Sequence, residues 1–349
     1  MKTDKNIILL FGGRSAEHEV SISSAAAIHH NLNRNKFKTQ CIYINKKGMW
    51  NTVESPQISI EKLEKGPFYS FLPWDTKKNI NLPQSPVYFP VLHGPYGEDG
   101  TIQGLLELAD VPYVGATVMS SAIGMDKALS KSIFKAKGLP VVKYSVVYEN
   151  DWVHHKKKVT EKIKKEYCFP LFIKPSNLGS SIGITKVQSL AHLPKAINLA
   201  FTYDHKILVE EAIQGRELEC SVLGNQNPIA SLPGEIIPYR DFYDYQDKYK
   251  EGKTGFEIPA KIPQSVVKEI QRISITAFKS IEGSGMARVD FFFQEKNHKI
   301  YLNEINTIPG FTEISMYPKL WEISGIKFSS LLEKLIDLAV NRHREKKRK

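Results

Sequence analysis

Residues 287–312, ARVDFFFQEKNHKIYLNEINTIPGFT, carry the pattern that decides how this chain folds. Two apolar runs, residues 289–293 and 300–305, flank a polar turn, and this arrangement predicts a β-hairpin. The second run ends in Asn-Thr-Ile-Pro-Gly at residues 306–310. Because proline fixes its own backbone, this segment predicts a rigid turn directly after the hairpin.

Polar side chains lie inside both predicted strands. Since side chains alternate along a strand, Arg288 shares a face with Asp290, and Glu304 shares one with Asn306. Asp290 is expected to lie opposite Glu304 only if the connecting turn has an odd number of residues, such as 296–298. Two carboxylates and an amide would then converge beside a guanidinium, and such hard oxygen ligands suit Mg²⁺. The alternative is the solvated face of an edge hairpin with an Arg–Asp pair.

Length and composition indicate a globular protein with several domains. The chain has 349 residues, 42% of them hydrophobic and 24% charged, which is enough for two or three domains with ample cores. Its three cysteines are far apart and form no CxxC, which favours reduced thiols in the cytoplasm. The apolar run at residues 7–11 is too short for a signal peptide, and no stretch approaches bilayer length. We therefore expect no membrane insertion.

The net charge of +11 raises the possibility of a polyanionic partner. Much of the excess lies in residues 154–165 and 341–349, which resemble solvated helix faces or frayed ends. Neither segment interleaves aromatic with basic residues, as single-strand binding surfaces do. Binding to nucleic acid is therefore not expected, and polyanion binding remains the lesser alternative.

Two glycine-rich segments near the N-terminus follow predicted strands. The first strand, residues 6–11, breaks at Gly12-Gly13 into a helix starting near Ala16, which makes a ligand-facing edge. Glu17 and Glu19 fall in the first turn of that helix, where capping is the simplest role. The loop at residues 93–100 follows another buried strand, and ligands bind at such strand ends in open α/β sheets.

A phosphate-binding segment is predicted in the middle of the chain. A buried strand delivers Lys174, and the Gly/Ser-rich loop 176–183 follows, whose backbone N–H groups can surround phosphate oxygens. An ordinary flexible hairpin loop is the alternative. A later strand, 207–209, ends in Glu210 and Glu211, which suits either a hinge beside a bound base or salt-bridged surface acids. The chain lacks the Walker A and kinase signatures, so the pieces indicate a Mg²⁺–nucleotide enzyme of another class.

Several motifs together resemble those of the D-alanine–D-alanine ligases, members of the ATP-grasp superfamily. The resemblance covers essentially the whole chain and rests on these segments: GGRSAEHEVS (12–21), HGPYGEDG (93–100), MDK (125–127), KPSNLGSS (174–181), YDYQDKY (243–249), RVD (288–290), EIN (304–306) and PG (309–310). It implies an α/β (α+β) class and a three-domain ATP-grasp fold. The expected domains are a Rossmann-like N-terminal α/β domain (1–122), a central ATP-grasp domain (123–215) and a C-terminal ATP-grasp domain (216–349).

The resemblance also implies roles for individual residues. The expected catalytic residues are Glu17, Ser180, Tyr249 and Arg288. The D-alanine substrates are expected to contact Glu17, His93, Gly310, Ser315 and Met316. ATP is expected to contact Lys127, Lys174, Ser181, Glu210, Glu211, Ile213, Glu217, Lys248 and Phe292. Two Mg²⁺ or Mn²⁺ ions are expected on Asp290, Glu304 and Asn306, with Glu304 bridging them.

The activity implied is ATP-dependent joining of two D-alanines through a D-alanyl phosphate, for peptidoglycan precursor synthesis. A K⁺ requirement stays open, and the family suggests a homodimer. Tyr249 favours D-alanine as the second substrate, because relatives that accept D-lactate tend to replace this tyrosine. Two alternatives remain: a ligase of the same fold using D-lactate or D-serine, and a basic polyanion-binding protein that keeps the scaffold without activity. Loop 240–255 is expected to be mobile and to close over the site.

Overall fold

The computed structural model describes residues 5–71, 86–237 and 255–347. Helices and strands are mixed along the chain, as the sequence predicts. The strands are β1 (Lys5–Gly12), β2 (Phe37–Ile44), β3 (Trp50–Val53), β4 (Val87–Val91), β5 (Tyr144–Tyr148), β6 (Leu171–Pro175), β7 (Thr185–Val187), β8 (Lys206–Glu211), β9 (Arg216–Gly224), β10 (Ile229–Ala230), β11 (Gly234–Ile237), β12 (Gly255–Glu257), β13 (Gly285–Gln294) and β14 (Lys299–Asn306). The α-helices are α1 (His18–Asn31), α2 (Ile60–Glu64), α3 (Thr101–Leu108), α4 (Val118–Met125), α5 (Lys127–Ala136), α6 (Glu149–Glu166), α7 (Leu193–Phe201), α8 (Gln264–Ser280), α9 (Met316–Ile323) and α10 (Phe328–Lys346).

The N-terminal sheet has the order β3-β2-β1-β4, with β1 parallel to both of its neighbours. Strand β1 is almost entirely buried, which explains its nearly continuous apolar sequence. The strand ends at Gly12, whose φ is +94°. A Cβ at this position would lie 2.2 Å from the Ile44 carbonyl oxygen, so the turn into α1 requires glycine.

The central sheet is antiparallel, in the order β5-β8-β6-β7. The charged segment 160–167 predicts a helix by its sequence, and the helix that covers this sheet, α6, is longer because it begins at Glu149. Only Trp152 and Ile163 are buried on this helix, and His155 has non-helical backbone angles. Because this lysine-rich segment has so few buried apolar side chains, its helical periodicity is weak, and the sequence does not reveal the first half of the helix.

The third sheet has the order β12-β11-β9-β13-β14, with β10 paired to β9. Strands β13 and β14 form the predicted hairpin, and Asp290 lies directly opposite Glu304. The expected odd turn is wrong, because Gln294 pairs with Lys299 and leaves the four residues 295–298 between them. A β-bulge restores the register: Phe291 pairs with Leu302, and Asn303 is the extra residue.

The C-terminal helix packs against the N-terminal sheet. The inner face of α10, listed here, shares one hydrophobic core with β1 and β4: Leu331, Leu332, Leu335, Ile336 and Ala339. Arg342 extends this contact, since its Nη2 donates to the Tyr113 carbonyl at 2.8 Å. The boundaries 1–122, 123–215 and 216–349 remain a prediction. No helix within the described ranges is both long and apolar enough to cross a membrane.

Candidate active site

Two adjoining cavities form the candidate site. The larger, about 600 Å³, lies between the central and third sheets, and the smaller, about 90 Å³, lies between the hairpin and the N-terminal loops. Gly179, Ser180, Glu219 and Glu304 line both cavities. One end of a ligand in the larger cavity would therefore lie beside a ligand in the smaller cavity.

Every predicted site residue in the described ranges lines one of these cavities. The larger is lined by the residues expected to contact ATP and by the two acidic metal ligands: Lys127, Lys174, Ser181, Glu210, Glu211, Ile213, Glu217, Phe292, Asp290 and Glu304. The smaller is lined by the remaining ones: Glu17, His93, Ser180, Arg288, Asn306, Gly310, Ser315 and Met316. Lys248 and Tyr249 lie outside the described residues.

Arg288 forms a two-pronged ion pair on the hairpin. Its Nε and Nη2 each donate to Asp290 at 2.7 Å, and Nε is 3.0 Å from Glu219 on the neighbouring strand. Burial opposes the charged form, but the carboxylates of Asp290 and Glu219 outweigh it and raise the pKa of Arg288 well above its usual value. The guanidinium is therefore a fixed, permanent cation at the edge of the smaller cavity.

The donor set on the hairpin suits a hard cation. Asp290 faces Glu304, and the Asn306 amide donates to Asp290 Oδ2 at 3.1 Å, so two carboxylates and an amide converge. Across the described ranges, no group of three or more His, Cys, Asp or Glu side chains could hold a metal ion. A site with two carboxylates fits Mg²⁺, which proteins hold by one or two carboxylates together with substrate phosphates.

Lys127 and Asp126 link α5 to the Gly/Ser-rich loop 176–183. Lys127 donates to the Leu178 carbonyl at 2.6 Å and lies 3.3 Å from Glu304 Oε2. An aspartate directly before a helical run predicts an N-cap, and Asp126 does cap α5 by accepting from the backbone N–H groups of its first turn. It also accepts from Ser176 at 2.7 Å, so the helix and the loop are held together.

Lys174 lies at the end of β6 and pairs with Glu210 Oε2 at 2.6 Å. The other oxygen of Glu210 is 3.1 Å from Lys131, and this carboxylate is 1% exposed. Burial opposes ionisation of Glu210, but the charges of the two lysines hold its pKa below the usual range. Glu210 was expected to contact the nucleotide, and the structure places its carboxylate between two lysines.

Glu17 reaches across the chain instead of capping its own helix. It occupies the N-cap position of α1, but its side chain makes no capping hydrogen bond. Its Oε1 accepts from the Ser180 hydroxyl, a residue 163 positions away. Ser180 and Ser181 both have positive φ, 51° and 59°, and this turns the loop toward α1. Capping by Glu17, the simplest role from spacing, is therefore wrong.

His93 and Gly310 shape the wall opposite Glu17. His93 is 4% exposed, and its Nδ1 lies 3.2 Å from the Ile308 carbonyl. Burial lowers the pKa of His93, but the adjacent Glu98 more than compensates and raises it. A Cβ at Gly310 would lie 2.7 Å from the Ser315 hydroxyl, so glycine lets the backbone approach that hydroxyl.

Comparison with known proteins identifies the family. The family model described as D-ala D-ala ligase N-terminus matches residues 6–116, and the one described as D-ala D-ala ligase C-terminus matches residues 133–337. The chain belongs to the D-alanine–D-alanine ligase family. Family membership, expected from the motifs, is thereby confirmed.

Relatives in this family span the whole chain. D-alanine–D-alanine ligases of Thermoanaerobacter sp. (strain X514) and Bacillus velezensis are 48% and 45% identical to it, over 98% and 97% of this chain and 98% of each relative. The solved D-alanine–D-alanine ligase from Coxiella burnetii has a TM-score of 0.87 at 40% identity, covering 99% of this chain and 96% of that one. The ATP-grasp fold expected from the sequence is confirmed.

One solved relative has a different acceptor in its title. The VanG D-Ala:D-Ser ligase from Enterococcus faecalis is 37% identical, with a TM-score of 0.84, over 97% of this chain and 100% of that one. The scaffold of the D-alanine–D-alanine ligase family therefore also occurs in an enzyme named for another second substrate.

Two residues that line the site, and one buried directly behind it, escape the sequence prediction. Glu219 lines both cavities, and it follows Glu217 by two positions on β9, so strand alternation could have found it. Lys131 follows Lys127 by one helical turn on α5, and that spacing places both on one face. Asn303 reaches the site only because of the bulge, and nothing in the sequence signals that.

Proposed function

We propose that this chain joins two D-alanines to D-alanyl-D-alanine at the expense of ATP, through a D-alanyl phosphate, in the supply of peptidoglycan precursors. The observation that carries the proposal is the pair of adjoining cavities, one lined by the ATP residues and one by the amino-acid residues. Their shared wall at Ser180 and Glu304 is where a terminal phosphate would meet a substrate carboxylate.

The larger cavity fits a nucleoside triphosphate. Phe172 and Phe292 line this cavity and would supply apolar walls for a base, and Glu217, which also lines it, would accept from a ribose hydroxyl. Lys127 and Lys174 line the same cavity and would supply positive charge for the phosphates. Two anions must approach each other before a carboxylate can be phosphorylated, and these cations reduce their repulsion.

The smaller cavity fits two short amino acids. Glu17 would hold the ammonium of the first D-alanine, with Ser180 fixing the carboxylate of Glu17. Arg288 and the Gly310 N–H would stabilise the oxyanion that forms when the second amine attacks the acyl phosphate. Ser315 would bind the carboxylate of the second D-alanine, and Met316 would pack beside its methyl group.

The metal, the assembly and the location are proposed by analogy with the family. Asp290, Glu304 and Asn306 would hold two Mg²⁺ or Mn²⁺ ions, which would neutralise the phosphates. We propose a homodimer in the cytoplasm, with K⁺ as a further requirement to be measured. We propose that Lys248 and Tyr249 belong to a closing loop, in which Lys248 would contact the γ-phosphate and Tyr249 would contact Glu17. The proposed domains are residues 1–122, 123–215 and 216–349.

The test is ADP formation that depends on D-alanine, with the product identified by mass spectrometry. D-Alanine, D-serine and D-lactate are supplied together as acceptors, with Mg²⁺ or Mn²⁺ and with or without K⁺. We expect D-alanyl-D-alanine to dominate. Mainly D-alanyl-D-serine or D-alanyl-D-lactate would assign the same-fold alternative. A rate of ADP formation that does not change when D-alanine is added, together with salt-dependent nucleic-acid binding, would favour the polyanion-binding alternative.

A further inference from the structure

A buried lysine outside both cavities points to an additional role in the nucleotide site. Lys131 lies on α5 and is 1% exposed, and it lines neither the larger nor the smaller cavity. Its Nζ is 3.1 Å from Glu210 Oε1, which is equally buried. The reaction proposed above does not use this ammonium, since no substrate can touch it.

Glu210 is shared between this hidden lysine and one that faces the cavity. Glu210 Oε2 is 2.6 Å from Lys174, and Lys174 lines the larger cavity. Lys174 Nζ also donates a longer hydrogen bond, of 3.4 Å, to Oδ1 of the bulge residue Asn303. The cluster therefore contains two ammonium groups and one carboxylate, with a formal charge of +1, and its accessible end is Lys174.

Stability alone does not explain this arrangement. Buried ion pairs are weak evidence for stability, because well-packed apolar residues of similar volume are often as stable or more so. A methionine at position 131 with a neutral partner would fill the same space. A second buried lysine beside Glu210 has one effect that apolar packing cannot have. It leaves Lys174 with positive charge that Glu210 does not cancel.

We propose that Lys131 is a positioning residue for the triphosphate: it takes one oxygen of Glu210 and so prevents this carboxylate from neutralising Lys174. The inference rests on the proposed function, in which the larger cavity binds ATP. Without Lys131, Glu210 would form its ion pair with Lys174 alone, and these two residues together would have no net charge. Attraction for the anionic phosphates would then fall, while the base and ribose contacts would be unchanged.

The test compares Lys131→Met with Lys131→Met/Glu210→Gln. In Lys131→Met we expect the KM for ATP to rise roughly tenfold, with the KM for D-alanine and the inhibition constant of adenosine within about twofold of wild type. Adding Glu210→Gln removes the carboxylate that cancels Lys174, so the double variant should bind ATP better than the single one. A scaffold defect would instead worsen with the second change.

Lys135→Met is the matched control, since Lys135 lies one turn further along α5 and is exposed. The KM values for ATP and D-alanine and the inhibition constant of adenosine should equal those of wild type in this variant. An unchanged KM for ATP in Lys131→Met would overturn the proposal, and so would equal shifts for ATP, adenosine and D-alanine. If Lys131→Met does not fold, the double variant is compared with Glu210→Gln alone: an equal KM for ATP supports the proposal, and a higher KM in the double variant refutes it. Wild-type turnover with D-alanine tests the proposed function separately.

Discussion

Replacing Arg288 should affect turnover and stability together, because the proposed function gives the oxyanion role to a guanidinium that also forms ion pairs in the fold. It donates two hydrogen bonds of 2.7 Å to Asp290 and lies 3.0 Å from Glu219, and these two carboxylates are register partners on β13 and β9. Arg288→Ala leaves two adjacent carboxylates without their cation. Breaking a fully buried pair in this way costs about 3–5 kcal/mol of unfolding free energy, and this partly buried pair should cost less. Loss of one oxyanion donor lowers turnover roughly 10²–10³-fold.

Arg288→Lys separates charge from geometry. It keeps one positive charge but cannot span both oxygens of Asp290, so we expect turnover between those of Arg288→Ala and wild type. In Arg288→Ala the two facing carboxylates repel each other, so the folded-state pKa of one of them is raised above its unfolded value. The stability deficit should therefore be largest at neutral pH and shrink as the pH falls and that carboxyl is protonated.

The assays are D-alanine-dependent ADP formation and urea unfolding at several pH values. Arg272 provides a matched control, because it makes the same two-pronged contact with Glu269, at 2.8 and 2.6 Å, on the exposed surface of α8. Arg272→Ala should cost less than about 1 kcal/mol and leave turnover unchanged. Wild-type turnover in Arg288→Ala would remove the guanidinium from the reaction, and a pH-independent deficit would refute the repulsion argument.

Three further predictions follow from separate parts of the structure. A Cβ at Gly234 would lie 2.5 Å from Met316 Cε, so Gly234→Ala should displace that methyl group and raise the KM for the second D-alanine, measured at saturating ATP, more than the KM for ATP. Burial opposes ionisation of Asp126, but the hydrogen bonds from Lys206, Ser176 and the Leu129 N–H, with the charge of Lys206, together outweigh it and lower the pKa. Asp126→Asn, which retains a capping side chain, should therefore cost unfolding free energy above the unfolded-state pKa, and urea titrations should show this cost vanishing as pH falls through the folded-state pKa. Of the three free thiols only Cys168 is exposed, so a thiol reagent should label one site in the native protein and three after denaturation; rapid labelling of all three would contradict the buried positions.

The site could be predicted from the sequence where residue types and local order carry the information. The apolar runs of the hairpin, the lysine before a Gly/Ser loop and the aspartate cap of α5 are each determined by neighbours in the chain. The structure confirms these elements. The first half of α6 was missed because only two of its side chains are buried, which leaves too weak an apolar period to detect.

Residue types and spacing by themselves carry no comparable signal for long-range contacts. Glu17 had the spacing of a helix cap, yet its partner is Ser180, 163 residues away. Lys131 is an ordinary helix-surface residue by composition, and only packing against Glu210 shows that it is buried. A single sequence lists such groups without their distances, so it cannot distinguish a solvated charge from an enclosed one.

The hairpin shows the division most clearly. The sequence by itself determined that Arg288, Asp290, Glu304 and Asn306 lie on two adjacent strands, because alternation along each strand is a local property. Only the tertiary structure decided that Asp290 meets Glu304. The four-residue turn by itself would have placed the two carboxylates on opposite faces, and the bulge at Asn303 returns them to one face. A bulge depends on how β14 packs against its neighbours, so its position is a property of the folded sheet.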